Sequence, residues 1–471
     1  MKRESKILLV ILAFVFTFSA LISIILPYRA TTDEARFLID LHTLLNTGSL
    51  TDRFRYFNGS AHQLLITQLV ILTGITPMET EFLSPIIGSI ALSTILLIFF
   101  FIYREAVPNR PWWGFLTFSP APFIFAGFIN RLRETSHKAF TFTLIFLCLL
   151  IGFYQFIDRT DPRLKALALT NLMVISLYNY IWAVVYGVVI GVVFMVGSNR
   201  RRIISFLPVG FLTAYVVADN LPTVWVHKQY FKSILVGIFA IVLGFGVPTP
   251  SGGSKASGGG LLAGWPQITI GSISVSLWFV CVIGIGFIFT LTGLGCFHAI
   301  AYRLSHQDWD PIGQMLVVVN IVTGISAVFV LAAGDIATFK RLIVIPGLFG
   351  VLYTVVYFSQ HGYRKHLTEH RCKILLSSIF VVLLISSVLA LPRVLTDGSI
   401  SPVDTYVEQD EISKIEWLSS YSEGCVKTHS RIDNFLMPRI AGVYPEISPI
   451  NRHRSQVYSA GEGAVLTCGP P

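Results

Sequence analysis

Apolar residues along this chain gather into blocks of the ~20 residues that cross a bilayer as a helix, separated by short polar loops. Blocks occupy 7–26, 82–103, 112–129 and 139–157, and then 203–221, 268–297, 312–334, 342–358 and 374–391. The stretch 166–197 is too long for one ordinary span, and Tyr178-Asn179-Tyr180 at its centre has the character of a turn. It therefore predicts two short spans. Residues 233–247 form a shorter apolar core closed by Pro248 and the Gly/Ser-rich segment 251–260. That length suits an interfacial or re-entrant segment. Leaving it out, the pattern predicts an all-α polytopic membrane protein of about eleven transmembrane helices.

Composition agrees. Of 471 residues, 53% are hydrophobic and 13% charged, a balance that a soluble fold could not keep off its surface. The net charge of +9 does not point to nucleic acid, because the basic residues fall in alternate short loops. Those loops hold Lys2, Arg3 and Lys6; Arg104 and Arg110; Arg159, Arg163 and Lys165; Arg200 to Arg202; Arg303; and Arg364, Lys365, Arg371 and Lys373. The positive-inside rule puts them in the cytoplasm, which places the N-terminus inside and the C-terminus outside. The first block has no clear A-x-A site after it and reads as an anchor; a cleaved signal would leave the downstream orientation unchanged. No retention signal ends the chain, which favours an archaeal or bacterial plasma membrane.

The large loops 27–81 and 222–267 and the tail 392–471 then face outward. Residues 1–391 form the membrane domain and 392–471 a small extracytoplasmic tail or subdomain. In the first outer loop Leu38, Leu41, Leu44 and Leu45 fall at helical spacing, as in a helix lying on a membrane. The stretch Leu64 to Ile75 is apolar but too short to span. Ser251 to Gly260 lacks the Gly-Lys-Ser/Thr ending of a phosphate loop, so a nucleotide site is unsupported. Cys425 and Cys468 share an oxidising compartment in which a disulfide is chemically reasonable. Cys148, Cys281, Cys296 and Cys372 show no metal-ligand spacing.

Three charged clusters fall on the outer side: Asp33-Glu34, the loop Asn130 to Lys138 with Arg131, Arg133, Glu134 and His137, and Asp335 with Lys340-Arg341. Singly, such charges serve as interfacial anchors. Together they suit one reaction. A sugar carried on a lipid phosphate is displaced by an acceptor hydroxyl in a single inverting step. One carboxylate takes the hydroxyl proton, and cations stabilise the departing phosphate. A phosphate leaving group does not need the paired carboxylates of a hydrolase. Topology supports a lipid donor, since nucleotide sugars are cytosolic and these carboxylates are outside.

On these residues the chain resembles the GT-C superfamily of membrane glycosyltransferases, which includes protein O-mannosyltransferases and the lipid A aminoarabinose transferase. The resemblance rests on Thr32-Asp33-Glu34-Ala35-Arg36-Phe37, on Glu134 before the fourth span, on Lys340-Arg341-Leu342-Ile343-Val344-Ile345-Pro346, and on the odd span count with an outward tail. It implies a polyprenyl- or dolichyl-phosphate sugar as donor and a site in the first outer loop. Asp33 would be the base with Glu34 its alternate or partner, Glu134 would orient the acceptor or assist a metal, and Lys340 and Arg341 would hold the donor phosphate, with Arg131 and Arg133 as further cations. Many relatives have an aromatic residue where this chain has Leu342, a departure that bears on Arg341 more than on Asp33. Asp33, Glu34 and Glu134 offer oxygen ligands for a divalent metal, and His62 or His137 nitrogen, but no spacing requires one.

The alternative is a transporter or flippase, which calls for ionisable residues at mid-membrane, broken helices and an internal repeat. Acidic residues are nearly absent from the blocks and no repeat is evident. Asn171 and Asn320 read as hydrogen bonders between helices. A scaffold or an O-antigen-ligase-like enzyme is less supported, since the 222–267 loop holds His227, Lys228 and Lys232 but no arginine.

Overall fold

The structure is a computed structural model. It describes residues 8–17, 61–75, 80–108, 111–125, 138–157, 162–197, 267–270, 273–306, 310–332, 341–359 and 369–396, with isolated positions such as Leu41, Leu44 and Leu132. In chain order the helices are α1 (Leu8–Thr17), α2 (Ala61–Thr73), α3 (Thr80–Ala106), α4 (Pro111–Phe118), α5 (Ala121–Ile124), α6 (Lys138–Ile157), α7 (Pro162–Tyr178) and α8 (Tyr180–Gly197). Strands β1 (Gln267–Ile270) and β2 (Ile273–Ser276) precede α9 (Leu277–His306), α10 (Pro311–Ala332), α11 (Val344–Ser359) and α12 (Glu369–Thr396). Among the described residues, five stretches are long and apolar enough to cross a membrane: Ile86–Ala106, Lys138–Ile157, Ile283–Ser305, Pro311–Val328 and His370–Ala390. The blocks at 203–221 and 233–247, the loop 222–267 up to Pro266, and the tail with Cys425 and Cys468 lie outside the described residues.

The 166–197 stretch is divided at Asn179, which links α7 to α8. Its Oδ1 accepts from the Trp182 amide at 3.3 Å, capping α8 in the manner of an N-cap asparagine.

Two blocks differ from the expected spans. The block 112–129 is not one helix: α4 and α5 are parted at Ser119-Pro120. Pro120 and Pro122 supply no amide to the ladder, so the backbone is rejoined by short turns, with Phe123 donating to Pro120 O at 3.1 Å and Phe125 to Pro122 O at 3.2 Å. Such a break is tolerated at membrane depth where protein covers it, and here Phe118 and Ala121 are fully buried. The block 268–297 begins with a hairpin, in which Gln267 pairs with Ser276 and Ile270 with Ile273. Its β-branched residues, Ile268, Thr269, Ile270, Ile273 and Val275, favour strand, and the helix starts only at Leu277. Among the described residues the architecture is thus helical apart from one two-stranded hairpin.

Side-chain contacts fix the directions of the helices. Tyr154 of α6 lies within electrostatic reach of Arg104 and Glu105, so α3 and α6 end together. Phe140 near the start of α6 stacks on Tyr178 at the end of α7, with ring centroids 5.7 Å apart, and Phe142 meets Trp182 at the start of α8. A Cβ on Gly152 would touch Ile190 and Met315, which sets the start of α10 beside the end of α6. Gly347 faces Ile288, and Gly284 faces Ser386 and Ile124; α11 therefore runs with α9, and α12 against it. One end of the bundle collects Lys138, the α7–α8 junction and the start of α11. The other collects Arg104, Arg163, Lys165, Arg303, Arg371 and Lys373, while Arg341 and Arg393 fall at the first.

The core is aromatic at its centre. Phe99 of α3 meets Phe118 of α4, Phe146 of α6 and Phe349 of α11 at centroid distances of 4.6, 5.2 and 5.4 Å, the last two edge-on, as ring quadrupoles favour. Lipid offers helices little hydrophobic reason to associate, so close packing of small residues takes that role. Gly350 of α11 lies directly on Thr292 of α9, leaving no room for a side chain. Asn171 joins α7 to α6 by donating to Leu144 O at 2.7 Å. Asn320 corrects the expectation made for it: its amide donates to Leu316 O of its own helix at 2.9 Å.

Gly350→Ala should force α9 and α11 apart and cost about 1–3 kcal/mol, the usual price of overpacking, read as a lowered unfolding temperature in detergent. Gly286→Ala, where an added Cβ meets nothing within 4 Å, should leave that temperature unchanged.

Candidate functional site

Of the candidate site residues, Arg341 falls within the described part of the chain. Asp33, Glu34, Arg131, Arg133, Glu134, His137 and Lys340 lie outside it. Arg341 is half-buried in a helical turn that leads into α11, next to the fully covered Leu342, 1% exposed. A cation toward the N-terminal end of α11, the positive end of its dipole, suits an anion.

The same end of the bundle holds polar groups that sequence reasoning passed over. Lys138, the first residue of α6, is buried, although it read as an interfacial anchor. His62, named above as a nitrogen donor for a divalent metal, is buried with its ring 5.6 Å from that of Phe140 and 6.4 Å from that of Tyr178. Gln63 beside it is also buried, and its Oε1 has no hydrogen-bond partner among the described residues. The signal was available as a stripe, since His62, Gln63, Ile66, Thr67 and Val70 share one face at helical spacing. The leucines that adjoin it drew attention instead.

Among the described residues no group of three or more His, Cys, Asp or Glu side chains converges as a metal site. The oxygen donors expected for a divalent ion, Asp33, Glu34 and Glu134, are outside those residues.

A second polar group sits at the cation-rich end. His298 Nδ1 and the Tyr353 hydroxyl share a hydrogen bond of 2.8 Å, and the Tyr357 ring lies 4.2 Å from that of His298. Asp310 caps α10, accepting from the Gly313 amide at 3.3 Å, and a Cβ on Gly313 would touch Ala299, Tyr353 and Asp310 together. Burial pushes the Asp310 carboxyl up from its ordinary value near 3.8 to about 6, against the pull of the Gly313 and Ile312 amides. In sequence Asp310 stands before a helix like any capping aspartate, and nothing there marks its burial.

No protein-family model matches the chain, and no curated protein matches it. Its fold is similar to solved structures of the oligosaccharyltransferase of Archaeoglobus fulgidus. The structure in complex with Zn and sulfate is matched with a TM-score of 0.51 at 12% identity, over 92% of this chain and 62% of that one. The structure tethered by a disulfide to an acceptor peptide containing the NVT sequon is matched with a TM-score of 0.47 at 12% identity, over 87% and 57%. The chain thus spans less than two thirds of the length of the protein it matches.

A raised carboxyl pKa means that the folded state holds its proton more tightly than the unfolded chain. Asp310 therefore contributes stability that is complete below about pH 4 and lost as pH rises through about 6. Thermal unfolding in detergent should show the melting temperature falling across that window, and Asp310→Asn should flatten the fall. An unchanged slope in the variant would remove Asp310 as its source.

Proposed function

We propose that this chain is a GT-C-type membrane glycosyltransferase that moves a sugar from a polyprenyl- or dolichyl-phosphate carrier to an acceptor hydroxyl on the extracytoplasmic face by inverting displacement. The observation that carries the reading is the sorting of charge between the two ends of the bundle. The cation-rich end suits the cytoplasm under the positive-inside rule. α6 and α11, which follow Glu134 and Lys340 in the chain, both begin at the opposite end, where Arg341 also sits. The fold likeness to an oligosaccharyltransferase supports the same class.

In this reading Asp33 takes the proton from the acceptor hydroxyl as its oxygen attacks the anomeric carbon. Glu34 supports Asp33, Glu134 orients the acceptor, and the bond from that carbon to the carrier phosphate breaks on the opposite face. Lys340 and Arg341 receive the charge that develops on the phosphate, with Arg131 and Arg133 as further cations. Acceptors of three kinds fit: a glycan, a lipid or a protein hydroxyl. A transporter is the second reading, favoured by the break at Ser119-Pro120 inside the bundle. Beside it Phe125 and Ile288 lie against Gly347, and Ser386 and Ile124 against Gly284, so these neighbours carry no charge to hold an ionic solute.

The test is transfer from a panel of radiolabelled polyprenyl-phosphate sugars in membranes. Asp33→Asn should lower turnover roughly 10²- to 10⁴-fold, the range for loss of a general base, with insertion and donor binding retained; unchanged turnover would remove Asp33 from the mechanism. Arg341→Ala should raise the apparent KM for donor, and an unaltered KM would argue against its phosphate role. Label that crosses sealed vesicles without being transferred would bring the transporter forward.

A further inference from the structure

Helix α2 is inverted in polarity. His62, Gln63 and Thr67 are buried at 3%, 4% and 7% exposure, while Leu64, Leu65, Ile71 and Leu72 stand out at 40%, 41%, 67% and 83%. The buried stripe continues through Ile66 and Val70, which form with Leu41 a small core separate from that of the bundle, with Leu45 and Ile75 packed against it. Protein therefore covers the polar side and leaves the aliphatic side open. In water this arrangement forgoes much of the roughly 1.5–3 kcal/mol that burial of each large aliphatic side chain supplies. Facing hydrocarbon, it costs nothing.

The surroundings identify what covers the open side. α2 rests against α7, with the His62 ring on Phe140 of α6 and Tyr178 of α7, and so sits at an end of the helices it touches. Those helices expose Leu147, Ile157, Leu167 and Met173. The apolar outer surface of α6 and α7 thus continues onto α2. At 13 residues the helix is roughly 20 Å long, too short to span a bilayer. It ends at Gly74, whose φ of +71° and amide bond to Val70 O at 2.9 Å make a left-handed C-terminal cap that glycine adopts without strain.

We propose that α2 is an interfacial helix seated in the bilayer leaflet at this end of the bundle. Leu64, Leu65, Ile71 and Leu72 lie among acyl chains, and His62, Gln63 and Thr67 turn toward the protein, the geometry of amphipathic helices that lie in a membrane plane. The inference rests on the membrane character of the chain alone and stands or falls independently of glycosyl transfer.

Photo-crosslinking of the full chain in vesicles of phosphatidylethanolamine and phosphatidylglycerol tests it. Leu72→p-benzoylphenylalanine and Ile71→p-benzoylphenylalanine alter exposed positions and should not disturb folding. Both should give acyl-chain adducts by mass spectrometry after irradiation, with the adduct lost when the probe replaces Gln63. Adducts at Leu72 and Ile71 to a second copy of the chain or to another polypeptide would overturn the proposal. So would the absence of lipid adducts at both positions, or a lipid adduct at Gln63.

Discussion

Inside a bilayer there is no water to satisfy a stray amide or carbonyl, so each backbone polar group must find its partner within the protein. Much of this architecture follows from that constraint. It makes long uninterrupted helices the default and draws hydroxyls back onto their own helix. Thr292 donates to Ile288 O, Thr323 to Val319 O and Thr354 to Gly350 O. It also decides where irregular backbone can sit. The Ser119-Pro120 break is enclosed by α11 and α12, and the Ser119 hydroxyl adds a bond to Leu116 O at 2.9 Å.

With the backbone satisfied locally, helix association is left to shape. Glycines bring α9 and α11 into direct contact, and Phe99 interlocks α3, α4, α6 and α11. Polar side chains then gather at the two ends, where they have different characters. One end carries exposed arginines and lysines on helix termini together with the His298–Tyr353 pair. The other buries Lys138 and Gln63, and His62 beside the rings of Phe140 and Tyr178. A buried cation and a buried amide are costly to desolvate, and their place at the end where α11 begins makes that end the chemically distinctive one.

Much of the helical framework was legible from apolar blocks, because block length and the need to span leave few alternatives. The division at Asn179 was readable for the same reason, since one helix could not use all of 166–197. Two kinds of feature were not legible. Where a block holds paired prolines, as at Pro120 and Pro122, or alternating β-branched residues, as at Ile268 to Val275, hydropathy alone reads through the change in structure. Polar residues adjoining apolar runs were also discounted. His62 and Lys138 are indistinguishable in sequence from ordinary anchors, and a mid-helix asparagine such as Asn320 can bond back to its own helix, here to Leu316 O, as readily as across to another. For the candidate site, sequence supplied the residue types; of them the structure describes Arg341 at the head of α11, while Asp33, Glu34 and Glu134 remain sequence expectations.

The contact between Gly350 and Thr292 has a mechanical side. With no side chain between them, α9 and α11 cannot slide or rotate past one another without a collision of backbone on side chain, and the His298–Tyr353 hydrogen bond pins the pair again further along. Interiors packed this closely transmit displacement rather than absorb it. Arg341 at one end of α11 and Tyr353 toward the other are therefore carried on a common strut. A tilt that moves the arginine at the head of α11 must also swing the tyrosine, and the histidine bonded to it, roughly 18 Å further along the helix.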